Sequence, residues 1–359
     1  MIVLLTMVFV FSCRKDEEEK KAVEETILPD TAVNFDLTQI PFYNLSDYHF
    51  FLGNMKMFSP NNRVLPYEPI SQLFTDYAHK SRFIWMPAGV SATYVTDHKV
   101  FDFPNGTVMI KNFYYDHVQP NDERKILETR LIYKKDNAWH FADYIWNEDQ
   151  TEATFNLQGL NVPISWIDDI GNPRTIDYRI PAESECFTCH KLDDTSLPIG
   201  PKPQNLNKDF TYVNGTMNQL QKWIEVGYLT NTLPTDIVTV VDWKDATQPL
   251  EQRVRSYIDI NCAHCHQEGS HCSYRPLRFA YSETLLPENL GICVAPQEFI
   301  SEQLTHIISR GNINRSVMFF RMNSVEQQYR MPLMGRTIVH DEAVALITEY
   351  IQSLSPACP

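Results

Sequence analysis

Apolar and polar residues alternate along short stretches of the first half of the chain, between residues 36 and 180. These stretches are rich in aromatic and β-branched side chains, which is typical of strands. Two pairs of them flank short polar turns and predict two β-hairpins. The predicted strands cover residues 107–115, 129–133 with 139–146, and 164–167 with 174–180. We therefore expect a β-sandwich or jelly-roll-like domain, with one helix before it near residues 70–80.

The spacing of apolar residues changes after residue 180. They recur every three or four positions, as on one face of a helix, and long loops rich in Pro, Asn and Gly separate these stretches. The predicted helices cover residues 218–226, 250–258, 299–309 and 342–354. The whole pattern predicts an α+β multidomain protein, with a β-rich N-terminal part followed by a mainly α-helical part.

The first 13 residues have the pattern of a lipoprotein signal. Residues 1–11 are mostly apolar, and the residues before Cys13 resemble the site at which a signal peptidase cleaves and the cysteine is lipidated. Residues 14–35 form a charged linker that has no means of packing. We expect an exported, lipid-anchored protein, in the periplasm or at the outer membrane or cell surface of a Gram-negative bacterium.

Length and charge limit the classes of function. With 359 residues, of which 43% are hydrophobic, the chain is long enough for two or three domains with real cores. The formal net charge of −14 argues against nucleic acid as a partner. A basic protein partner fits this charge, although acidity is common among soluble proteins.

Two short motifs carry the chemistry. Four of the eight cysteines form Cys186-Phe-Thr-Cys189-His190 and Cys262-Ala-His-Cys265-His266. In a CxxCH motif the two thiols add to the vinyl groups of a haem, and the histidine binds the iron as proximal ligand. A zinc site made of two cysteine pairs keeps them closer in sequence and gives no reason for a histidine after each pair. The motifs therefore predict two covalently attached haems c.

The second motif has a candidate for the distal iron ligand. A helix runs into it, and Met331-Pro332 follows downstream, before the last predicted helix. A methionine thioether on a proline-stiffened loop is a common distal ligand in small cytochromes c, and it raises the reduction potential. We predict Met331 as this ligand, with Met334 as the alternative. Both methionines would otherwise simply pack on the edge of the haem.

The first motif has no obvious distal ligand. Residues 199–201, Ile-Gly-Pro, are expected to supply a carbonyl that accepts from the second ring nitrogen of His190. Met217 is the only methionine between the two motifs, and it is at least as consistent with a place in the core. An open iron face is the remaining alternative, and it would bind small ligands such as peroxide. Three histidines are further candidates for the distal ligand, namely His98, His264 and His271.

The other cysteines suggest one disulfide. Cys272 and Cys293 are separated by a short loop with a turn-like sequence, and an oxidising compartment would allow them to pair. The alternative is two unpaired thiols. Cys358 is then left over as a thiol in the C-terminal tail.

The combination resembles an uncharacterised family of exported dihaem c-type cytochromes with an N-terminal β-rich domain, often encoded beside parallel β-helix repeat proteins. The resemblance covers residues 45–354, and it implies haem binding and electron transfer without supplying a substrate. The chain departs from the pattern at His271-Cys272, where small residues are expected. The strings that carry the resemblance are residues 73–78, 82–87, 103–108, 128–131, 144–153, 198–201, 218–220, 261–266 and 316–335.

We therefore expect a dihaem cytochrome that transfers electrons outside the cytoplasm to a redox partner protein, and that is more an electron carrier than an enzyme. One alternative is a dihaem peroxidase-like oxidoreductase whose first haem is open, and another is a ligand-binding β domain with haems that report redox state. The expected parts are a signal (1–13), a linker (14–35), a β-rich domain (36–180), a first haem module (181–247) and a second, cytochrome c-like haem module (248–359).

Overall fold

The computed structural model describes residues 32–359. The signal, most of the linker and the lipidation of Cys13 therefore lie outside the described residues. Within the described part of the chain, no helix combines the length and the apolar character needed to cross a bilayer.

The strands of the first half form one antiparallel sheet. Six of its eight strands follow each other in chain order, and the hairpin of the last two joins it because the seventh strand pairs with the third. Its strands are β1 (Leu65–Pro66), β2 (His79–Trp85), β3 (Val108–Val118), β4 (Glu123–Lys135), β5 (Ala138–Trp146), β6 (Ala153–Phe155), β7 (Leu160–Ile167) and β8 (Pro173–Ile180). Two small hairpins follow, made of β9 (Lys191–Leu192) with β10 (Thr195–Ser196) and of β11 (Asp209–Tyr212) with β12 (Gly215–Asn218).

Both predicted hairpins are confirmed, since β4 pairs with β5 and β7 pairs with β8. The first turn is tight because Asp136 and Asn137 both adopt positive φ, at 52° and 61°. The predicted sandwich or jelly roll is wrong, however. The register of β3 against β4 shifts twice near Phe113 and Val118, and beyond these shifts β3 reaches β7, so that the strands stay in one sheet.

Each face of the sheet is covered differently. One face carries Phe83, Ile110 and Leu131 and packs against the segment before β1, including Leu45 and Phe50. The opposite face is covered by residues of the second half of the chain, such as Leu206 and Trp223, which share a core with Ile84 and Met109. This second face therefore joins the sheet to the region that contains the two motifs.

The expected mainly α-helical second half is wrong. Strand accounts for 26% of the structure and helix for 20%, and the seven helices are short. Two of them, Pro203–Leu206 and Pro287–Leu290, begin at a proline and are only four residues long. The helices are α1 (Glu183–His190), α2 (Pro203–Leu206), α3 (Gln219–Glu225), α4 (Leu250–Ile258), α5 (Pro287–Leu290), α6 (Val317–Asn323) and α7 (Asp341–Ser353).

Helices α3, α4 and α7 confirm three predictions, whereas the helices predicted at 70–80 and 299–309 are wrong. Residues 76 and 77 have positive φ, which ends any helical run before β2 begins at His79. Ile308 instead forms a parallel bridge with Ile292, so that the apolar residues of 299–309 pack from an extended chain.

The predicted disulfide is also wrong, because Cys293 bonds to Cys358 and Cys272 is a free thiol. The backbone N–H of Cys293 donates to the carbonyl of Ile308 at 2.9 Å, and the N–H of Arg310 contacts the sulfur of Cys358. The segment at 308–310 thus brings the C-terminal tail to Cys293, and Cys358 is buried rather than part of a loose tail.

Candidate functional site

The first motif occupies the second half of helix α1. The helix begins after Ala182, whose backbone N–H donates to the carboxylate of Glu185 at 2.7 Å. Because cysteines three positions apart in a helix lie on the same face, Cys186 and Cys189 point to one side, with His190 beside them. The helix packs on β5, where the ring of Phe141 lies 5.0 Å from that of His190.

His190 is fixed in one orientation. Its Nδ1 lies 2.6 Å from the carbonyl oxygen of Leu197, so that Nδ1 carries the proton and Nε2 keeps its lone pair. Burial lowers the pKa of His190 to about 4, which keeps the ring neutral near pH 7. The prediction of a carbonyl in this role is supported, but the acceptor is Leu197 rather than a residue of 199–201.

The second motif begins where α4 ends. A π-helical turn, Asp259–Ala263, widens the end of the helix and contains Cys262. The buried side chain of Asn261 secures this turn, because it accepts from the N–H of Phe74 at 2.8 Å and donates to the carbonyl of Tyr257 at 3.0 Å. The turn is therefore held both to its own helix and to the segment before β2.

His266 also has a free coordinating nitrogen. Its backbone N–H donates to the carbonyl of Cys262 at 3.0 Å, and its ring packs on Phe279 with centroids 4.9 Å apart. Burial lowers its pKa to about 4. Nδ1 is buried without a hydrogen-bond partner in the described part of the chain, so no hydrogen bond at this nitrogen fixes the tautomer of the ring.

A cavity of about 220 Å³ opens beside the second motif. It contains His266 and the predicted distal ligand Met331 in one space, together with Met334. The loop that carries Met331 is held in place because Arg336 donates to the Met331 carbonyl at 3.0 Å. Most of the remaining wall is apolar or basic and includes Tyr257, Ile258, Leu277, Phe279, Val317, Met318, Met322, Arg275 and Arg321.

The chemistry of this cavity fits a haem held at the second motif. Two cysteines and a neutral histidine lie on one side, thioether sulfurs line the same space, and two guanidinium groups lie in its wall. The structure thus brings together the residues that the sequence predicts as ligands. It does not separate Met331 from Met334, because both line the cavity.

The two motifs lie against each other. Ligand atoms of Cys189, His264 and Cys265 are all within 4.8 Å of one another, and the sulfur of Cys265 lies 3.6 Å from the carbonyl oxygen of Thr188. Thr188 and Cys189 also line the cavity of the second motif. Sequence reasoning missed this contact, since the motifs are far apart in the chain and no local pattern reports which segments meet.

The structure gives less support to the candidates for the distal ligand at the first motif. Met217 lies on β12 opposite Phe210 and is 40% exposed, which gives no support to its predicted role as an iron ligand. His98 lies in a turn, and His271 lines the cavity of the second motif. Of the histidine candidates, His264 is the one that the structure places beside Cys189.

A comparison of the chain with protein-family models, curated proteins and solved structures finds no match. The functional argument therefore depends on the two motifs and on the geometry around them.

Proposed function

We propose that the chain is an electron-transfer protein with two covalently attached haems c, one at each CxxCH motif. The observation that carries the proposal is the contact between the motifs, in which Cys189 and Cys265 lie within 4.8 Å of each other. Two attachment points side by side suit electron passage between two centres better than two independent functions. The resemblance to exported dihaem cytochromes supports the same reading.

The residues of the second motif have distinct roles in this proposal. Cys262 and Cys265 would bind the haem through thioethers, and His266 and Met331 would bind its iron. When bound, haem supplies reversible one-electron exchange between ferric and ferrous iron. The apolar wall of the cavity, with Leu277 and Phe279, excludes water and so favours the less charged, reduced form.

At the first motif, Cys186 and Cys189 would provide the thioethers and His190 the proximal nitrogen. The hydrogen bond from His190 to Leu197 orients the ring and increases the basicity of Nε2. A protein partner that donates or accepts electrons is required, and a basic protein fits the net charge of −14. We also propose export and lipid anchoring through Cys13.

A second candidate is a structural zinc site, which one observation favours. Cys189, His264 and Cys265 could offer three ligand atoms, and Cys272 lies nearby because its N–H donates to the Cys265 carbonyl at 2.9 Å. This site would leave Cys186, Cys262 and both motif histidines without a role. Haem attachment uses all of these residues, and we prefer it for that reason.

The test is the haem content of the chain produced in a host with c-type cytochrome maturation. Absorbance of the pyridine haemochrome, divided by protein concentration, should give two haems per chain for the wild type. The double variants C186A/C189A and C262A/C265A should each retain one. C272S is the matched control, because it removes a cysteine of the same cluster outside both motifs, and it should retain two.

Two further readouts separate the alternatives. Circular dichroism in the Soret band should show a two-signed signal for the wild type and a single sign for either one-haem variant, because only neighbouring haems couple. One zinc per chain and no haem would establish the zinc site instead. Rapid turnover of peroxide by the two-haem protein would support the peroxidase-like function and contradict simple electron transfer.

A further inference from the structure

A row of charged side chains crosses the sheet on the face that supports the first motif. Strand register places Arg82 opposite Lys111, Lys111 opposite Arg130, and Arg130 opposite Asp143. Residues directly opposite each other share a face, so the row runs from β2 to β5 on one side of the sheet. Phe141, which contacts His190, lies two residues before Asp143 on β5 and therefore points to the same side.

The β5 end of this row is balanced in charge. Arg130 donates to both carboxylate oxygens of Glu128, at 2.8 and 2.5 Å. Asp143 is buried, and neither of its oxygens has a hydrogen-bond partner within residues 32–359. Burial, with the nearby Glu128, raises the pKa of Asp143 well above its usual value, while Nε of Arg130 lies 4.0 Å from its Oδ2.

The β2 and β3 end is not balanced. Arg82 is buried and donates to the neutral side-chain oxygen of Gln72 at 3.1 Å, and Lys111 has its ammonium 4.8 Å from the ring of Phe113. On the same face Lys80 donates to the carbonyl of Ala78 at 2.8 Å. In the described part of the chain none of these three cations has an ion-pair partner within 4 Å.

Three neighbouring cations that form no ion pair are costly in a folded protein, even with the carboxylates of Asp76, Glu68 and Glu128 at longer range. Burial and the mutual repulsion of these groups lower the pKa values of Lys80 and Lys111 well below those of free lysine. Removing charge from water is compensated only by a partner of opposite sign or by loss of the proton. An anion on this face of the sheet would let the two lysines keep their protons and would give Arg82 a partner of opposite charge.

The position of the cations indicates which anion would bind on this face. Lys111 lies on the same face of the sheet as Phe141, whose ring contacts that of His190. Strand β3, which carries Lys111, is two strands or about 10 Å across the sheet from β5, on which α1 packs. A haem bound through its vinyl groups carries its two propionate carboxylates on the opposite edge, so that they point away from the cysteines.

We propose that Arg82, Lys111 and Lys80 form a carboxylate seat that receives the propionates of the haem attached at Cys186 and Cys189. This inference depends on the proposed function. A guanidinium and an ammonium are the donors that bind carboxylates most strongly, because each hydrogen bond is charge-assisted. The seat would make the sheet part of the first haem site and not only a support for α1.

The test is the reduction potential of the two haems in K111M. This change keeps the length of the side chain and removes the charge. Loss of a cation beside the propionates favours the ferric form, so the midpoint potential of the first haem should fall while that of the second is unchanged. Repeating the titration in the C262A/C265A background, which retains only the first motif, identifies the haem that responds.

Two variants serve as controls. K125M removes a lysine of the same sheet whose partner is the exposed Glu148, at 2.8 Å, and it should leave both potentials unchanged. K111R keeps the charge and should restore the wild-type potential. Unchanged potentials in K111M, or an equal fall in K125M, would overturn the proposal.

Failure of the proposed function has a different signature. If the wild type carries no haem at the first motif, the same purified chain is heated with and without succinate, a free dicarboxylate. Succinate should then raise the melting temperature of the wild type and of K125M, but not that of K111M. This result would support the carboxylate seat and indicate that it binds a free carboxylate. No rise in any of the three proteins would overturn the seat as well.

Discussion

At the scale of single residues, the two CxxCH motifs have different surroundings. His190 donates to Leu197, whereas Nδ1 of His266 is buried without a partner in the described part of the chain. Both motifs could be recognised in the sequence because the haem attachment that we propose requires fixed residue types at fixed spacing. The carbonyl that orients His190 could not be predicted, because the choice between Leu197 and the next few residues depends on how the loop folds back.

The second iron ligand is tested by replacing Met331. M331A removes the thioether that shares a cavity with His266, and the near-infrared band of methionine-bound ferric haem should disappear. The midpoint potential of that haem should also fall, since the soft sulfur favours ferrous iron. Absorption spectra of the oxidised protein measure the band directly.

M334A is the matched control for this experiment, because Met334 lines the same cavity three positions further along. It should keep the band and a potential near that of the wild type. If M334A loses the band and M331A keeps it, Met334 is the ligand and the choice of Met331 is wrong.

At the scale of elements, local patterns predicted what each segment forms but not what it meets. The turn at Asp136 and Asn137 identifies its hairpin because both strands are adjacent in sequence. The apolar residues near Ile308 also fit a helical pattern, and they instead pair with Ile292. Sequence periodicity indicates which face of a segment is buried, but it does not indicate which distant segment pairs with it.

The disulfide between Cys293 and Cys358 makes a prediction about the C-terminal segment. The bond closes a loop with a sequence separation of 65, so its loss should lower the free energy of unfolding by about 4 kcal/mol. The loop contains α6, α7 and the segment that carries Met331, and it therefore encloses one wall of the cavity. Urea unfolding of C358S, compared with the wild type, measures the effect.

C272S provides the comparison, because Cys272 is a free thiol in the same half of the molecule. It should change the free energy of unfolding by much less than C358S. Equal losses in the two variants would mean that Cys293 and Cys358 do not form a stabilising bond in solution.

At the scale of the whole molecule, contacts between distant segments join the sheet to the motifs. The carboxylate of Asp76 accepts from the backbone N–H groups of Thr337 and Ile338, at 2.6 and 3.2 Å. Asn261, next to Cys262, holds the N–H of Phe74. The sequence separates these partners by far more than any helix or hairpin, and this is why the single sheet with its bound second half could not be predicted.

His340 lies at the centre of this junction. Its ring stacks on Phe74 with centroids 3.9 Å apart, contacts Trp243, and has Nδ1 3.0 Å from the hydroxyl of Tyr257. Burial, followed by the charges of Lys244, Lys80 and Arg336, lowers the pKa of His340 to about 3. The junction thus favours the neutral ring over the charged one, even with the carboxylate of Glu342 3.7 Å from Nε2.

This makes stability depend on pH with a definite sign. Between pH 6.5 and about 3 the unfolded chain protonates His340 and the folded protein does not, so the free energy of unfolding falls as the pH falls. From pH 7 to pH 4.5 this group alone should remove about 2–3 kcal/mol. In H340Q, where the amide can still bond to Tyr257, the decrease measured by urea unfolding should be smaller by that amount.

H117Q is the control, because it changes an exposed histidine beside Asp122, and it should retain the full wild-type decrease. If H340Q and H117Q lose the same stability, the junction tolerates a charged His340 and the argument from its burial is wrong.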